Sequence, residues 1–410
     1  MVFFKFVKNV LSQFFYYSFK ILKLREFFKI VLNQNNVVYF NIIIISFLMS
    51  SQSESRTIVI DNGTRTCKAG FAGDPLPCYI TNTIVGTDPK TNDFFVSNDA
   101  YSKADILNVR YPIEHRIIEN WDDIQKIWNY IFQNQLHIES SSHPVLLTDD
   151  PTNPKENRER MTQIMFETFN VPSLYIAKRP VLSLYSAGRL NGIVLNSGDS
   201  SSLATPIFGG YYIPDTSVSL NIAGKDVTMM LQKLLNERGY IFTSFSQKEI
   251  VRDIKEKHCY LSSDFESEVK KHEVLLDYKL PDGKVIKIGN ELFRCAEILF
   301  KQQSNGFFQK GIADILLESI DKCDEKIRND LFNNVVICGG TTKMTNFIER
   351  LQNEIKKLAG KSFNIVEPHR RQYASWIGGS TLASLPTFND MMISINEYKE
   401  SGPGIIRKCP

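Results

Sequence analysis

Two segments of this 410-residue chain constrain its fold more than any others. Residues 57–73 read T-I-V-I-D-N-G-T-R-T-C-K-A-G-F-A-G, and residues 192–207 read G-I-V-L-N-S-G-D-S-S-S-L-A-T-P-I. In each segment a β-branched run enters a turn of acidic or amide, small and glycine residues, and a second extended run follows. A hairpin of this kind directs several backbone N–H groups at one point, where phosphate oxygens fit.

One such hairpin says little, because apolar runs that enter glycine turns are common in any sheet. Two similar hairpins well apart in the chain suggest a duplicated domain that grips one phosphate chain from both sides. Residues 335–342 (V-V-I-C-G-G-T-T) add another glycine turn after an apolar strand. From residue 57 onward, short β-branched strands alternate with helical periods, which predicts a mixed α/β fold.

The length of the chain allows a large core divided over more than one lobe. The formal net charge is +3. Residues 1–48 contain six Lys or Arg and one Glu, so they carry about +5 and the remaining residues about −2 (3 − 5). This balance indicates no nucleic-acid partner. The seven cysteines include no C-x-x-C pair, which argues against a zinc site and favours reduced thiols in the cytosol.

Residues 1–48 form an atypical extension that lacks Gly, Ala, Asp, Pro and Thr. A transmembrane helix needs about 20 apolar residues, but charged residues between 20 and 29 interrupt this segment, and the apolar run 37–49 is too short. No small-residue cleavage site marks a secretory signal. We favour the interpretation that residues 1–48 are upstream sequence that does not belong to the mature protein, which would begin near Met49. A membrane-surface helix and a targeting segment are the alternatives.

Longer blocks elsewhere resemble actin. They are residues 110–115 (R-Y-P-I-E-H), 120–128 (N-W-D-D-I-Q-K-I-W), 161–170 (M-T-Q-I-M-F-E-T-F-N), 249–257 (E-I-V-R-D-I-K-E-K), 375–380 (S-W-I-G-G-S) and 401–409 (S-G-P-G-I-I-R-K-C). Together with the hairpins they cover roughly 57–409 without a large gap, in the order that actin has. On these blocks the chain is identified as a member of the actin family.

The resemblance implies an α/β fold of the actin-like ATPase type. In that fold two lobes each have a βββαβα core with an inserted outer subdomain, and the nucleotide cleft lies between them. Here it implies an actin-like domain over 49–410. The expected boundaries are 55–186 and 374–410 for lobe 1, with outer subdomain 83–111, and 187–373 for lobe 2, with outer subdomain 223–307.

The resemblance also implies a site for ATP or ADP. Its expected contacts are Asp61, Gly63, Thr64 and Lys68 in the first phosphate loop, Gly198 and Asp199 in the second, and Gly224, Lys255, Glu256, Gly340, Thr341 and Met344 around the remainder. A Mg or Ca ion is expected to be held weakly, through water, by Asp61 and Asp199. Judged by spacing alone, Lys255 and Glu256 would be a solvated helix face; the match of the surrounding block reverses that interpretation.

Departures from actin cluster where hydrolysis should occur. Actin has Gln at the position of Arg179, Asp at that of Asn196 and His at that of Leu203. Asn is no carboxylate base, Leu relays no proton, and Arg has no acceptor and keeps its charge. The phosphate loops also carry Arg65 and Ser200 where actin has Gly, and the base pocket has Met344 and Gln372 in place of Tyr and Lys. No catalytic residue is therefore expected to be intact.

Two surfaces matter for assembly. Residues 86–95 (G-T-D-P-K-T-N-D-F-F) correspond to the actin loop that inserts into the next subunit, but they form a shorter loop without an apolar tip. The groove used by profilin-like and gelsolin-like partners is retained at Tyr185, Gly188, Leu382, Leu385 and Thr387, although Pro386 replaces Ser. Actin itself is a further expected partner, and no nucleic-acid or membrane partner is expected.

The sequence thus predicts a divergent cytoskeletal protein of the cytoplasm that binds ATP or ADP, hydrolyses it weakly and assembles weakly. The alternative is a competent filament-forming actin ATPase that tolerates the three substitutions. A sugar kinase or chaperone of the same ATPase fold is remote, because the actin blocks are uninterrupted. A gene copy without a function of its own is the remaining interpretation.

Overall fold

The structure is a computed structural model that describes residues 56–304, 307–360 and 362–409. The expectations for residues 1–48 and for a start near Met49 lie outside these ranges. Within these ranges, the residues from Thr57 onward form one compact unit. The strands are β1 (Ile58–Asp61), β2 (Thr66–Phe71), β3 (Tyr79–Asn82), β4 (Val85–Thr87), β5 (Phe94–Val96), β6 (Asn108–Arg110), β7 (Ile113–Glu114), β8 (Ile117–Ile118), β9 (Val145–Asp149), β10 (Ser173–Lys178), β11 (Gly192–Ser197), β12 (Ser202–Phe208), β13 (Tyr211–Tyr212), β14 (Val218–Leu220), β15 (Leu276–Lys279), β16 (Val285–Ile288), β17 (Gln302–Ser304), β18 (Phe307–Gln309), β19 (Val335–Cys338), β20 (Ile365–Val366) and β21 (Ile393–Ser394).

The α-helices are α1 (Asn98–Ser102), α2 (Trp121–Tyr130), α3 (Lys155–Glu167), α4 (Arg179–Ser186), α5 (Gly224–Glu237), α6 (Phe245–His258), α7 (Phe265–Val269), α8 (Glu291–Arg294), α9 (Ile312–Asp321), α10 (Glu325–Phe332), α11 (Phe347–Ala359), α12 (Ala374–Ala383) and α13 (Ile395–Ser401). A π-helix, Ile131–Gln135, extends α2. Short 3₁₀ segments lie at Ser140–Ser142, Cys295–Leu299, Thr341–Lys343, Arg371–Tyr373, Phe388–Met391 and Pro403–Lys408. Within the described ranges, no helix has both the length and the apolar character needed to cross a membrane.

Two six-stranded sheets share a local plan. The first has the order β21-β10-β9-β1-β2-β3, and the second has the order β13-β12-β11-β19-β20 with β14 beside β12. In the first, β1 is antiparallel to β2 and parallel to β9. In the second, β11 is antiparallel to β12 and parallel to β19. Each sheet therefore places a hairpin turn beside the carboxyl end of a parallel strand. These features agree with the mixed α/β fold expected from the sequence.

Each large sheet has its own apolar core. The first core packs Ile58, Val59 and Ile60 of β1 against Trp128 and other side chains from α2, α3 and α12. The second packs the inward residues of β11 and β19 against α5, α6, α9 and α11. The β-branched runs at the centre of each sheet are fully buried because helices cover them, which is the usual reason for continuous apolar strands.

Helices α4 and α12 pack unusually closely. A Cβ added to Gly378 of α12 would lie 1.8 Å from the carbonyl oxygen of Leu182 in α4. The hydroxyls of Ser183 and Ser375 are 2.9 Å apart across the same contact. Trp376 Nε1 donates to the carbonyl of Val59, 3.0 Å away, and so fixes α12 against β1. These contacts hold the start of α4, where Arg179 lies, against the first sheet.

Residues 83–111 include a small sheet of strands β5, β4 and β6 with α1 beside it. The predicted shortened loop is a closed hairpin here, because Gly86 pairs with Phe95 and Thr87 with Phe94. Its turn is held by the Asp88 N–H, which donates to the Asp93 carbonyl oxygen at 2.9 Å. The turn residues from Pro89 to Asp93 are exposed, and Lys90 to Asp93 are polar.

Candidate functional site

A cleft of about 400 Å³ collects the residues singled out by sequence. This volume lies in the range of small-molecule and cofactor sites. All twelve residues expected to contact nucleotide line it: Asp61, Gly63, Thr64, Lys68, Gly198, Asp199, Gly224, Lys255, Glu256, Gly340, Thr341 and Met344. Their separation along the chain reaches almost 300 residues, so only the tertiary fold brings them together.

The first hairpin turn, between β1 and β2, approaches its own backbone closely. A Cβ added to Gly63 would lie 2.5 Å from the carbonyl oxygen of Thr66, so this turn requires glycine. Lys68 donates from Nζ to that same carbonyl at 3.1 Å. Its Nζ also lies 3.6 Å from Oδ2 of Asp61. The turn therefore holds the Lys68 ammonium group in a fixed position beside the glycine turn, an arrangement typical of a phosphate loop.

The second hairpin turn, between β11 and β12, is anchored to two other elements. The carbonyl oxygen of Gly198 accepts from the Gly224 N–H at 3.1 Å and from Thr341 Oγ1 at 2.6 Å. A Cβ on Gly224 would lie 2.6 Å from Thr341 Oγ1, so the start of α5 also needs glycine. Thr64 and Ser200 bring the two turns into direct contact, with their hydroxyls 3.0 Å apart.

Lys255 is not a solvated residue of a helix face. Its side chain is buried, and Nζ donates to the Gly224 carbonyl at 3.1 Å. Burial lowers the pKa of Lys255, against the opposing charges of Glu256 and Asp199. Glu256 itself is half exposed and pairs with Arg252 at 2.9 Å. Both residues line the cleft, Lys255 as a buried side chain and Glu256 as a largely exposed one.

The three altered positions have different surroundings. Arg179 lies at the start of α4 and lines the cleft, as does Asn196 of β11. Leu203 is directly opposite Asn196 in the β11–β12 register, but it is buried and does not line the cleft. Two of the three substitutions thus change the chemistry of the cleft surface, and the third changes the layer beneath it.

Asp61, an expected cation contact, is already engaged by protein groups. Arg179 Nε lies 3.4 Å from its Oδ1, and Thr148 Oγ1 donates to that same oxygen at 2.8 Å. Lys68 faces the other oxygen. The second expected cation contact, Asp199, is also perturbed: burial raises its pKa, against the opposing charges of Arg65 and Lys255. Arg179, Lys68 and Thr148 thus occupy Asp61 and leave it less free to hold the waters of a divalent cation.

Arg65 lines the cleft but points its guanidinium across the opening. Nη2 is 2.5 Å from Glu249 Oε2 on α6, and Nη1 donates to Tyr111 Oη at 3.0 Å. Tyr101 Oη donates to the same Glu249 oxygen at 2.6 Å. Both arginines are thus ion-paired: Arg65 with Glu249, and Arg179 with Asp61 and Asp150.

Sequence reasoning missed Glu249, Arg252 and Arg116. The first two lie in a block that resembles actin, but nothing local separates their role from that of other charged helix residues. Arg116 directly follows the quoted block 110–115 and occupies the turn between β7 and β8. A two-residue turn with an arginine is normally a solvent-exposed feature, so no signal in the sequence indicated that its side chain is buried.

The expected partner groove residues occupy neighbouring parts of α4 and α12. Tyr185 and Leu382 are half-buried near the ends of these packed helices, and Leu385 lies just beyond α12. The Tyr185 hydroxyl donates to the carbonyl of Gly210 at 3.1 Å, which fixes its ring. Gly188 and Thr387 are exposed at the edges. Tyr185, Leu382 and Leu385 pack against the same apolar core.

These features define a class of protein: a mixed α/β chain whose paired hairpin turns face one cleft. Comparison with protein families identifies the class further, because the family model described as Actin matches residues 52–410. The match covers most of the chain, so this protein belongs to the actin family. Members of that family generally bind ATP or ADP together with a divalent cation.

Proposed function

We propose that this protein binds ATP or ADP in the cleft between two actin-like lobes. One observation carries the proposal: all twelve residues expected from the resemblance line a single cleft. The two six-stranded sheets, with one hairpin turn each, support the assignment of lobe 1 to 55–186 and 374–410 and of lobe 2 to 187–373. Nucleotide chemistry suits the cleft because glycine turns allow close approach of phosphates and lysines neutralise them.

Arg179 supplies part of the positive charge that a divalent cation would otherwise supply beside Asp61. Its guanidinium lies beside Asp61, whose carboxylate would otherwise accept hydrogen bonds from the waters of a divalent cation. Charges of +1 and +2 about 5 Å apart repel by at most about 6–7 kcal/mol at an effective dielectric of about 20, and the pairing of Arg179 with Asp61 and Asp150 reduces this repulsion. Asn196 is neutral and does not offset this repulsion. Mg²⁺ or Ca²⁺ is therefore held weakly, and nucleotide binding depends little on it.

Hydrolysis of the bound nucleotide is weak. A water-orienting group needs an acceptor or a carboxylate near the terminal phosphate. The guanidinium of Arg179 offers neither, and its donors are directed at the carbonyl of Asn62, the hydroxyl of Thr148 and the carboxylate of Asp61. The amide of Asn196 is not a base at neutral pH.

The protein is a cytoplasmic component of the cytoskeleton that assembles weakly by itself. The hairpin turn at 88–93 supports weak self-assembly, because its tip is polar apart from Pro89, and the exposed Phe94 lies beyond the tip. The adjoining surface of Tyr185, Leu382 and Leu385 supports binding of profilin-like or gelsolin-like partners. Actin is the partner with which this chain would co-assemble.

A matched pair of lysines tests nucleotide binding. Lys255 is buried in the cleft, whereas Lys257 is exposed on the same helix and pairs with Asp253 at 2.8 Å. We expect Lys255→Ala to weaken binding of a fluorescent ATP analogue by at least tenfold, and Lys257→Ala to leave it unchanged. Equal affinities of the two variants, or no binding by the full chain, would contradict the proposed function.

A further inference from the structure

Arg116 has a buried donor that no described residue satisfies. Its side chain is only 8% exposed, and its Nε lies 3.6 Å from Oδ2 of Asp150. Its Nη2 is fully buried and has no hydrogen-bond partner among the residues that the structure describes. Buried guanidinium groups are normally paired, since an unpaired one loses its hydration without compensation. Because Arg116 also lines the cleft, the missing partner is expected to be a ligand.

A second arginine shares the same carboxylate. Arg179 Nη1 lies 3.8 Å from Oδ2 of Asp150, so Asp150 stands between two guanidinium groups. Three cationic side chains contact two carboxylates here. They are Arg116, Arg179 and Lys68 around Asp61 and Asp150. Burial lowers the pKa of Arg116, and Arg179 adds to that effect while Asp150 opposes it. This group of five side chains has one positive charge in excess, which suits an anion.

The backbone holds Arg116 beside the phosphate hairpins at some conformational cost. His115 and Arg116 both have positive φ angles, 42° and 73°, a region that favours glycine. His115 Nδ1 lies 3.1 Å from the carbonyl oxygen of Ser200, which fixes this turn against the second hairpin. Ser200 in turn meets Thr64 of the first hairpin. Strained residues of this kind are concentrated at ligand sites.

We propose that Arg116 and Arg179 form a phosphate subsite that holds the terminal phosphoryl group of a nucleoside triphosphate. This proposal rests on the proposed nucleotide-binding function and deepens it. Arg116 offers its unpartnered Nη2 as a donor to phosphate oxygens, and Arg179 adds its charge and its remaining N–H groups. Both guanidinium groups keep their charge at any physiological pH. The subsite supplies the positive charge that a divalent cation supplies elsewhere, and it distinguishes a triphosphate from a diphosphate.

The substitution Arg116→Gly tests the subsite, because glycine suits a φ of 73° and should not impair folding. In EDTA, we expect ATP affinity to fall by about ten- to a hundredfold, the effect of losing a charged hydrogen bond, while ADP affinity changes by less than threefold. The ATP affinity of Arg116→Lys should lie between that of the unsubstituted protein and that of Arg116→Gly. Arg189→Ala, an exposed arginine outside the cleft, is the control and should change neither affinity. Equal losses for ATP and ADP, or no loss, would overturn the proposal.

Free phosphate provides the second arm of the experiment. Inorganic phosphate titrated into the full chain, with and without ADP, should bind to the unsubstituted protein and not to Arg116→Gly. If phosphate binding depends on Arg116 but the preference for ATP over ADP does not, the subsite takes free phosphate and the assignment to the terminal phosphoryl group is wrong. If no nucleotide binds to the full chain, the proposed function is wrong. The dependence of phosphate binding on Arg116 then tests the phosphate subsite by itself.

Discussion

Arg179 Nε lies 3.4 Å from Oδ1 of Asp61, at the base of the cleft. Lys68 faces the other oxygen of that carboxylate, so a single acidic group is shared between two cationic side chains. A carboxylate in this position is no longer free to organise the waters of a metal ion. In the proposed function, these side chains would supply part of the positive charge that a divalent cation generally supplies in the family.

Phosphate release from ATP should be slow. Loss of positioned water-orienting groups costs about 10²–10⁴-fold in rate, and neither Arg179 nor Asn196 provides such a group. We expect release in a continuous phosphate assay to lag behind that of an ordinary actin by about this factor, even with Mg²⁺ present. Arg179→Gln combined with Asn196→Asp should speed it. A rate equal to that of ordinary actin filaments would favour the competent filament-forming ATPase instead.

Self-assembly should be weak. The hairpin turn at 88–93 is polar, and loss of about 100 Å² of apolar contact per subunit, at about 25 cal/mol per Å², raises the critical concentration by well over tenfold. Sedimentation at low micromolar concentration should therefore leave the protein in the supernatant. Abundant filaments under those conditions would show that other contacts compensate for this turn.

Binding of a groove partner should survive. We expect a profilin-like or gelsolin-like protein to retain the chain in a pull-down, and Leu385→Asp to weaken that binding by at least tenfold. Leu358→Asp, an exposed residue of α11, is the control. Pro386→Ser should strengthen binding, because proline lacks a backbone donor at the groove edge. If Leu385→Asp leaves partner binding unchanged, the groove is not the binding site, and that part of the proposed function is wrong.

Gly378→Ala should destabilise the fold by about 1–3 kcal/mol, because its added methyl group has no room against the backbone of Leu182. Gly340→Ala is the matched control, since no atom lies within 4 Å of its Cβ position and its φ is −63°. The free energy of unfolding, measured by denaturant titration without nucleotide, should fall only for the first variant. Similar values for both would mean that α4 and α12 can separate at little cost.

Local patterns predicted the regular elements well. The apolar stripe at 121–135 predicts a helix, and the structure has α2 followed by a π-helix over that range. The amphipathic pattern of residues 226–239 predicts a helix, and the structure has α5, which begins two residues earlier, at Gly224. The pattern of residues 153–169 also predicts a helix; α3 begins at Lys155, because Pro154 precedes it as the cap. Periodicity and capping act within a few residues, so a sequence reports them directly.

The site was predictable only where the family resemblance reached it. The hairpins at Gly63 and Gly198 follow from local glycine patterns, but Lys255 reads as a solvated residue by spacing alone. The pairing of Arg65 with Glu249 joins positions 184 residues apart, and the burial of Arg116 depends on Asp150 from another strand end. Such relationships arise from packing of distant segments, and no local pattern carries them.

The cation requirement of nucleotide binding tests the central claim most directly. The measurement is the ATP affinity of the full chain with Mg²⁺ and with excess EDTA, compared with that of the Arg179→Gln, Asn196→Asp double variant. The account predicts that EDTA weakens ATP binding of the unsubstituted protein by less than tenfold, and that the double variant becomes strongly cation-dependent. A loss of tenfold or more for the unsubstituted protein on removal of Mg²⁺ would contradict it.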